Sequence, residues 1–177
     1  MGEVIVDTCC LINLYATAEL GTFLKDLSWP FYIARAALAE AIFIRIQDVD
    51  GDLISDPIDV RSFTSHGLIT VADVEGAEEV ELYVQLAAAL EDGEAMGLAI
   101  AKVRSWALAT DDRKARRLAS KLGVKVLTTP ELMQSWESVA NITRSKMASM
   151  LKQIEFGARF APADDAPGYD WWSSFVV

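Results

Sequence analysis

The chain has 177 residues, 52% of them hydrophobic, which is enough apolar mass for one globular domain with a sizeable core. Its formal net charge is −10, which taken alone argues against a nucleic-acid partner. The charges are unevenly placed, however: residues 1–101 carry 18 acidic and 4 basic side chains, whereas residues 102–160 carry 12 basic and 5 acidic ones. A basic half therefore follows an acidic half, and a nucleic-acid partner stays open.

The sequence shows no sign of a targeting or membrane segment. Met1 to Asp7 contains no positively charged leader, and no apolar run approaches the roughly 20 residues needed to span a bilayer. We therefore expect no secretory signal, no membrane association and a cytoplasmic location.

The cysteines and the histidine offer little for catalysis. Cys9 and Cys10 are adjacent, a spacing that disfavours a mutual disulfide and matches no pattern of zinc ligands. We interpret them as reduced, buried, small apolar residues, with a metal or redox role for the pair as the alternative. His66 has no neighbouring nucleophile that would indicate a catalytic triad, so we expect it in a loop.

The first predicted strand ends at an acid. Val4–Val6 is a short β-branched run, typical of a strand buried on both faces, and Asp7 follows it directly. A helix is predicted from about Thr8 to Tyr15, because its apolar residues share one face.

A second strand is predicted at Phe31–Ile33, followed by a strongly helical run at Ala36–Ile44. Glu40 falls inside this predicted helix. Residues Asp48–His66 are rich in Asp, Gly, Pro and Ser and are predicted to form an irregular connection with one brief extended piece at Ile58–Val60.

Strands alternate with helices in the rest of the chain. The predicted elements are a strand at 68–72, helices at 77–90 and 92–104, a strand at 106–110, a helix at 113–122, a strand at 124–127, a helix from Thr129 and a last helix at 142–156. Asp92 is the predicted N-cap of the helix at 92–104. Gly123 is predicted to end the helix at 113–122.

This alternation predicts an α/β protein with three layers, α/β/α, around a central, mostly parallel sheet. Residues 1–140 are assigned to this domain, and residues 141–177 to a C-terminal helix and tail. Because Trp171 and Trp172 would be costly to expose together, we expect the tail to pack on the domain or on a partner.

Three acids stand at predicted strand ends. Asp7 follows the first strand, and Asp111 and Asp112 follow the strand at 106–110. Ligands bind beyond the carboxyl ends of strands in open parallel sheets, so the three carboxylates lie close together if these strands are neighbours. Glu94 opens a helix, where its charge also favours the positive end of the dipole.

Carboxylates that converge without matching bases repel one another, and a divalent cation relieves this repulsion. Oxygen ligands with no His or Cys among them favour Mg²⁺ or Mn²⁺ over Zn²⁺. Such ions activate water and stabilise displacement at phosphorus, so this chemistry requires no nucleophilic side chain.

Each acid also has a purely structural interpretation. Asp112 is a suitable cap for the helix that begins at Arg113, and Glu94 is a suitable first-turn acid. Glu40 lies among apolar residues, and Asp7 stands between a buried strand and an apolar helix, so both are harder to explain without a function.

A basic run follows the strand-end acids. Arg113, Lys114, Arg116 and Arg117 lie near one side of a helix that starts at these acids, so they are candidates for contacts with nucleic-acid phosphates. The alternative is an ordinary solvated helix face.

In the order and spacing of its motifs the sequence resembles the PIN domain, in particular the VapC-type toxin nucleases of prokaryotes. The matching motifs extend over about residues 3–133. They are Val4-Ile5-Val6-Asp7-Thr8-x-x-Leu11-Ile12-x-Leu14, then Glu40, then Gly93-Glu94-Ala95, and finally Leu108-Ala109-Thr110-Asp111-Asp112-Arg113-Lys114-Ala115-Arg116.

The resemblance implies a PIN-like sheet with an acidic metal site, cleavage of RNA, a homodimer and, for toxins, neutralisation by an antitoxin. By position, Asp7, Glu40 and Glu94 correspond to the first three acids of the family. The fourth is Asp112 by the pattern Thr-x-Asp, or Asp111 by the Asp-Asp pair of some relatives, and both remain candidates. All five acids are thus candidate catalytic and metal-binding residues, and the basic run is the candidate RNA-binding element.

The leading hypothesis is a metal-dependent endoribonuclease that acts on single-stranded or loop RNA, as the toxin of a toxin-antitoxin pair. The alternative is a catalytically inactive PIN-like scaffold that binds RNA or protein, although a scaffold would not need every acid. A phosphoryl-transfer enzyme of the haloacid-dehalogenase type would require a second Asp two residues after the first, where this chain has Cys9.

Overall fold

The computed structural model describes residues 2–40, 42–47 and 50–176. Its strands, in chain order, are β1 (Val4–Val6), β2 (Phe31–Ala34), β3 (Phe43–Gln47), β4 (Leu53–Pro57), β5 (Thr70–Ala72), β6 (Ala107–Ala109) and β7 (Val126–Leu127). Its α-helices are α1 (Thr8–Ala16), α2 (Leu20–Leu27), α3 (Val60–Ser65), α4 (Gly76–Ala87), α5 (Asp92–Arg104), α6 (Arg113–Leu122), α7 (Thr129–Ala140), α8 (Arg144–Gln153) and α9 (Tyr169–Val176).

Within the described ranges, five strands form a sheet in the order β5-β2-β1-β6-β7, and every neighbouring pair is parallel. The central strands β1 and β6 are buried at every position. This burial explains why their sequences are continuously apolar rather than alternating. The predicted α/β class with a mostly parallel central sheet is confirmed.

Helices cover both faces of this sheet. Helix α5 packs on β1, β2 and β6 and against α4 and α6, whereas α7 packs against α1 and α2. The chain moves from β1 outward to β2 and β5, then returns to β6 and continues to β7. Crossovers between parallel strands are almost always right-handed. Crossovers that run in opposite directions along the sheet therefore place their helices on opposite faces, which gives the predicted three layers.

The predicted helix at Ala36–Ile44 is wrong. A short 3₁₀ turn spans Ala36–Ala39, and Glu40 then adopts an extended backbone with φ −74° and ψ 136°. Strand β3 begins at Phe43, and Ala41 lies outside the described residues. The run is apolar almost throughout and so has no helical period, which is why its composition alone misled the prediction.

The predicted irregular connection at Asp48–His66 is also wrong. Strands β3 and β4 form an antiparallel hairpin, followed by helix α3, while Asp48 and Val49 lie outside the described residues. Gly51 has φ +86°, and the pair Asp50-Gly51 is a common hairpin signal that would have predicted the turn.

The extended piece predicted at Ile58–Val60 is wrong as well. Asp59 caps α3 by accepting a hydrogen bond from the Ser62 N–H at 3.2 Å, so the chain turns into a helix here. His66, predicted in a loop, lies exposed at the end of this helix, with Nδ1 2.7 Å from the Ser62 carbonyl oxygen.

The C-terminal residues pack on their own chain. After α8 a π-helical turn covers Ile154–Ala158, and α9 then contacts α7 and α8. Trp171 Nε1 donates to Glu137 at 2.9 Å, and the buried Trp172 donates to Glu155 at 3.0 Å. Both indole N–H groups are thereby satisfied, as large buried aromatics require. None of the helices in the described ranges has the length and apolarity needed to cross a membrane.

Candidate active site

The two strands that the acids follow are sheet neighbours. Val6 of β1 lies opposite Ala109 of β6, so Asp7 and Thr110 leave the sheet side by side. Strand order reverses at this point, because the chain continues from β1 to β2 on one side and reaches β6 only later on the other. Open α/β sheets bind their ligands at such a reversal.

Asp7 is the most enclosed of the five predicted site acids, with 6% of its surface exposed. Its backbone caps α1, and its Oδ1 accepts from the Thr8 N–H at 2.7 Å. Its Oδ2 accepts from Thr110 Oγ1 at 2.8 Å and from Cys9 Sγ at 3.2 Å. Burial raises the pKa of Asp7 despite these hydrogen bonds, and the charge of Asp112 raises it further.

Glu40 reaches the same place from the extended residue after the 3₁₀ turn. Thr8 Oγ1 donates to Glu40 Oε2 at 2.7 Å. Burial raises the pKa of Glu40, and the charges of Asp7 and Glu91 add to this effect. The Glu40 carboxylate lies close to Gly93 in this conformation: a Cβ on residue 93 would stand 2.3 Å from Glu40 Oε1.

Glu94 stands in the first turn of α5. It forms a capping box with Glu91, accepting from the Glu91 N–H at 3.3 Å, so Glu91 and not the predicted Asp92 is the N-cap. Burial raises the pKa of Glu94 to about 7, and the charges of Asp7 and Asp112 contribute to the shift.

Asp112 caps α6 by accepting from the Ala115 N–H at 2.7 Å. Its backbone N–H donates to Thr110 Oγ1 at 3.1 Å. The charge of Asp112 acts on both Asp7 and Glu94, so the structure places it on the same side as these two acids. We refer to Asp7, Glu40, Glu94 and Asp112 together as the acidic cluster.

The acidic cluster is electrostatically unbalanced. No salt bridge in the described part of the chain involves any of its four members. The charged groups that raise the pKa values of Asp7, Glu40 and Glu94 are themselves carboxylates. Carboxylates without a basic partner suit a hard divalent cation, which would supply the missing positive charge, but no three of these four described acids have oxygens within 4.8 Å of one another, so a cation would have to draw them together.

Asp111 belongs to a different network. Its Oδ2 accepts from Asn13 Nδ2 at 2.9 Å and from Cys10 Sγ at 3.2 Å, and it also accepts from the Thr129 hydroxyl. Its Oδ1 accepts from the Thr129 N–H at 2.9 Å. Asn13 and Thr129 are buried, so Asp111 ties the start of α7 to α1.

The two cysteines are free thiols. Cys10 is buried as expected, but Cys9 is only half-buried and donates to Asp7, so it is not simply an apolar core residue. The Sγ atoms of Cys9 and Cys10 and a carboxylate oxygen of Asp111 lie within 4.8 Å of one another. In the structure these thiols act as hydrogen-bond donors to the two aspartates.

The basic run on α6 makes varied contacts. Arg113 Nη2 lies 3.0 and 3.2 Å from the two carboxylate oxygens of Asp165, and Lys114 donates to the Ala89 carbonyl oxygen. Arg117 is exposed, and the Nε atom of Arg116 is buried without a hydrogen-bond partner among the described residues.

Several residues of the site escaped the sequence prediction. Thr8 and Thr110 orient Glu40 and Asp7, Asn13 and Thr129 bind Asp111, and Gly93 makes room for Glu40. A hydroxyl directly beside a strand-end acid was a usable signal for the two threonines that flank Asp7 and Asp111. No local pattern indicates Asn13, whose partner is 98 residues away.

Comparison with known proteins gives one family. A sequence model described as the PIN domain matches residues 3–161, a range that includes the whole five-stranded sheet and the acidic cluster. No curated protein matches the chain.

Proposed function

This chain belongs to the PIN-domain family, and on that basis we propose that it is a metal-dependent endoribonuclease. Family membership supports a nuclease, that is, a hydrolase of phosphodiester bonds. We add three points to this proposal: the substrate is RNA, the cleavage is internal, and the ion is Mg²⁺ or Mn²⁺. The observation that carries the proposal is the acidic cluster: burial raises the pKa values of Asp7, Glu40 and Glu94, neighbouring carboxylates raise them further, and no salt bridge among the described residues involves the cluster.

Asp7, Glu40, Glu94 and Asp112 are the proposed metal ligands. A divalent cation bound by them would offset negative charge on the phosphodiester and make a water molecule more acidic. Of the two candidates for the fourth acid we favour Asp112, because it acts electrostatically on Asp7 and Glu94. We assign Asp111 the role of a positioning residue, since donors from α1 and α7 occupy both of its oxygens.

The remaining residues of the site hold these groups in place. Thr110 fixes Asp7 and the backbone of Asp112, while Thr8 fixes Glu40. Glu94, whose pKa is raised to about 7 without metal, would have to lose its proton to bind a cation. Such pre-set geometry is favourable for catalysis because little reorganisation is needed when the substrate arrives.

The basic side chains that follow Asp112 support a nucleic-acid substrate. Arg113, Lys114, Arg116 and Arg117 begin directly after the acidic cluster, where they are positioned to bind phosphates next to the scissile one. Contacts of this kind do not read base sequence, so we propose a single-stranded or looped RNA whose backbone is accessible.

We further propose, from the family resemblance alone, that the protein is a homodimeric toxin restrained by an antitoxin. Induction in a bacterial host tests the toxin role: growth arrest by the native chain and not by Asp7→Asn is the expected result. Normal growth with both proteins would contradict a toxin role without touching the nuclease proposal. Sedimentation of the purified chain tests the dimer.

The central experiment incubates the purified protein with a mixed RNA, with Mg²⁺ or Mn²⁺, and with excess chelator. Asp7→Asn should lower cleavage by more than about 100-fold, since even outer partners of metal ligands contribute 10- to 100-fold. It should leave the fold intact, because Asn still caps α1 and the change removes one repelling charge. Asp170→Asn, which removes the same charge on the exposed start of α9, is the matched control and should cleave normally.

Cleavage that requires both metal and Asp7 would support the proposal. RNA binding without cleavage by the native protein would instead favour the scaffold alternative. Single-stranded DNA of the same sequence runs in parallel, and preferential cutting of DNA would overturn the choice of RNA as substrate. Unfolding of Asp7→Asn would show that Asp7 is structural.

A further inference from the structure

A small cavity lies between the start of α6, the start of α7 and the C-terminal tail, and two of its lining residues, Asp111 and Arg113, flank Asp112 in the sequence. Its volume is about 230 Å³, and its walls include Asp111, Arg113, Arg116 and the tail residues Phe160–Ala163, Ala166 and Pro167, while Asp165 lies outside the lining. Cavities that hold whole drug-sized ligands typically measure 300–1,000 Å³. The size therefore suits a smaller group, such as a phosphate with its waters.

Two guanidinium groups line this cavity, and neither is engaged in a strong buried interaction. Arg113 is paired with Asp165, but both side chains are more than half exposed, at 56% and 75%. An ion pair as exposed as this one contributes little to stability. Arg116 is half-buried, and its Nε atom has no hydrogen-bond partner among the described residues.

The one carboxylate on the inner wall does not oppose an anion strongly. Both oxygens of Asp111 accept hydrogen bonds, from the Thr129 N–H on one side and from Asn13 and Cys10 on the other. These donors already compensate its charge. The group that competes with an anion for Arg113 is Asp165, which lies on the tail and is exposed to solvent.

The tail wall is a built part of the fold. Phe160 packs edge-on against the buried Trp172, with ring centroids 5.8 Å apart, and Trp172 is hydrogen-bonded to Glu155. At the other end, Gly168 has φ +80° and lies so close to Pro130 that a Cβ would stand 2.6 Å from the Pro130 Cβ. The segment that carries Asp165 is therefore anchored on both sides.

From this arrangement we propose that the cavity is a phosphate subsite for the RNA strand cut at the acidic cluster. Arg113 and Arg116 bind one backbone phosphate that flanks the scissile bond. In the free protein Asp165 is paired with Arg113, and the phosphate must displace Asp165 when it binds. The tail therefore lowers the affinity of the protein for RNA. The inference rests on the proposed function for the identity of the strand, but its binding part is measurable without cleavage.

The test measures binding of a fluorescent single-stranded RNA 12-mer by anisotropy, in chelator, with the full chain. Asp165→Asn should lower Kd by roughly two- to fivefold, the range expected when one exposed ion pair no longer competes. Asp170→Asn removes the same charge elsewhere on the tail and controls for the change in net charge. Its Kd should change less than that of Asp165→Asn.

The arginines are tested through the salt dependence of the same binding. Each phosphate neutralised on a single strand contributes about 0.7 to the slope of log K against log salt concentration, so removing both arginines that share the phosphate should lower the slope by about that amount, and Arg116→Gln alone should lower it by part of that amount. Lys121→Gln, exposed in the last turn of α6, is the matched control and should leave the slope nearly unchanged. Arg113→Gln is the second variant and should abolish the effect of Asp165→Asn.

Equal effects of Asp165→Asn and Asp170→Asn, or of Arg116→Gln and Lys121→Gln, would overturn the subsite. Thermal melting of each variant identifies any loss of folding, and Arg113→Gln still decides the question if Arg116→Gln unfolds. If these binding differences appear but no RNA is cut with metal present, the proposed nuclease activity fails and the phosphate site stands. A matched DNA 12-mer reports whether the subsite prefers RNA.

Discussion

A buried hydrogen bond of 2.8 Å joins Thr110 Oγ1 to Asp7 Oδ2 and links the ends of β6 and β1. The same hydroxyl accepts from the Asp112 N–H at 3.1 Å, so one threonine with no exposed surface fixes two members of the acidic cluster. Thr110 is therefore a positioning residue of the proposed metal site.

Thr110→Val should lower kcat/KM for RNA by about 10- to 100-fold, as for other side chains that orient metal ligands. It should also destabilise the fold by about 1–3 kcal/mol, because the Asp112 N–H and an oxygen of Asp7 lose their partner. Thr110→Ser keeps the hydroxyl and should restore most of the activity. Cleavage kinetics and melting of both variants decide this, and a folded Thr110→Val enzyme with native kinetics would contradict the role.

Asp111 and Asp112 differ in what they contact, and matched substitutions separate them. Asp112→Asn should keep the cap of α6, since Asn and Asp cap equally well, but should lower cleavage by more than about 100-fold. Asp111→Asn should cleave within about tenfold of the native rate and melt roughly 3–9 °C lower. Whichever way the new amide is oriented, its NH₂ group faces another donor, either Asn13 Nδ2 or the Thr129 N–H. This mismatch should cost about 1–3 kcal/mol of stability.

The opposite pattern, with activity lost in Asp111→Asn and kept in Asp112→Asn, would show that Asp111 is the fourth ligand. Both proteins are compared at a temperature where melting curves show each one to be folded.

Strand-end acids could be predicted from the sequence because the rule behind them is topological. Asp7 and Asp112 each follow a short buried strand, and parallel neighbours bring such positions together without knowledge of any side-chain contact. The three layers could also be predicted from the alternation of strands and helices, because this rule is topological too. The separation of Asp111 from Asp112 could not be predicted, since it depends on Asn13, which comes from a distant part of the chain.

The surroundings of Glu40 were predicted wrongly because tertiary contacts override local preference there. Ala36 to Ala39 favour a helix, but Glu40 is drawn into an extended conformation in which it accepts a hydrogen bond from Thr8. The hairpin after it had a local signal in Asp50-Gly51, which the Asp- and Pro-rich composition obscured.

Gly93 and Gly97 lie one turn apart on α5 and provide a direct test of the space around Glu40. Gly93→Ala places a Cβ 2.3 Å from Glu40 Oε1 and 3.2 Å from the Ala37 Cα, so the carboxylate must move. We expect a loss of cleavage of about 10- to 100-fold and weaker binding of Mn²⁺. Gly97→Ala meets only Leu108 at 3.8 Å and Ile5 at 4.0 Å.

The control should keep full activity and gain up to about 1 kcal/mol from the better helix propensity of alanine. Manganese titrations and melting curves of both variants test this. Identical metal affinity in the two proteins would mean that Glu40 does not contribute to the metal site.

The acidic cluster should make the metal-free protein less stable as the pH rises. Burial and neighbouring carboxylates raise the pKa values of Asp7, Glu40 and Glu94 in the fold above the ordinary values of 3.8 and 4.5, so the folded state binds protons more tightly than the unfolded chain. The resulting stabilisation is complete below pH 4 and is lost as the pH rises through the folded values, of which that of Glu94 is about 7.

In chelator, the melting temperature should therefore fall between pH 5.5 and pH 8. Glu94 alone should account for about 1 kcal/mol after allowance for solvent screening, or roughly 2–4 °C for a chain of this size. Glu94→Gln should remove most of this slope, because glutamine does not titrate, while Mn²⁺ at pH 8 should restore the stability of the native protein by binding the charged carboxylates. A melting temperature that rises from pH 5.5 to pH 8, or a slope that Glu94→Gln leaves unchanged, would mean that burial and the neighbouring carboxylates do not raise the pKa of Glu94 in the folded protein.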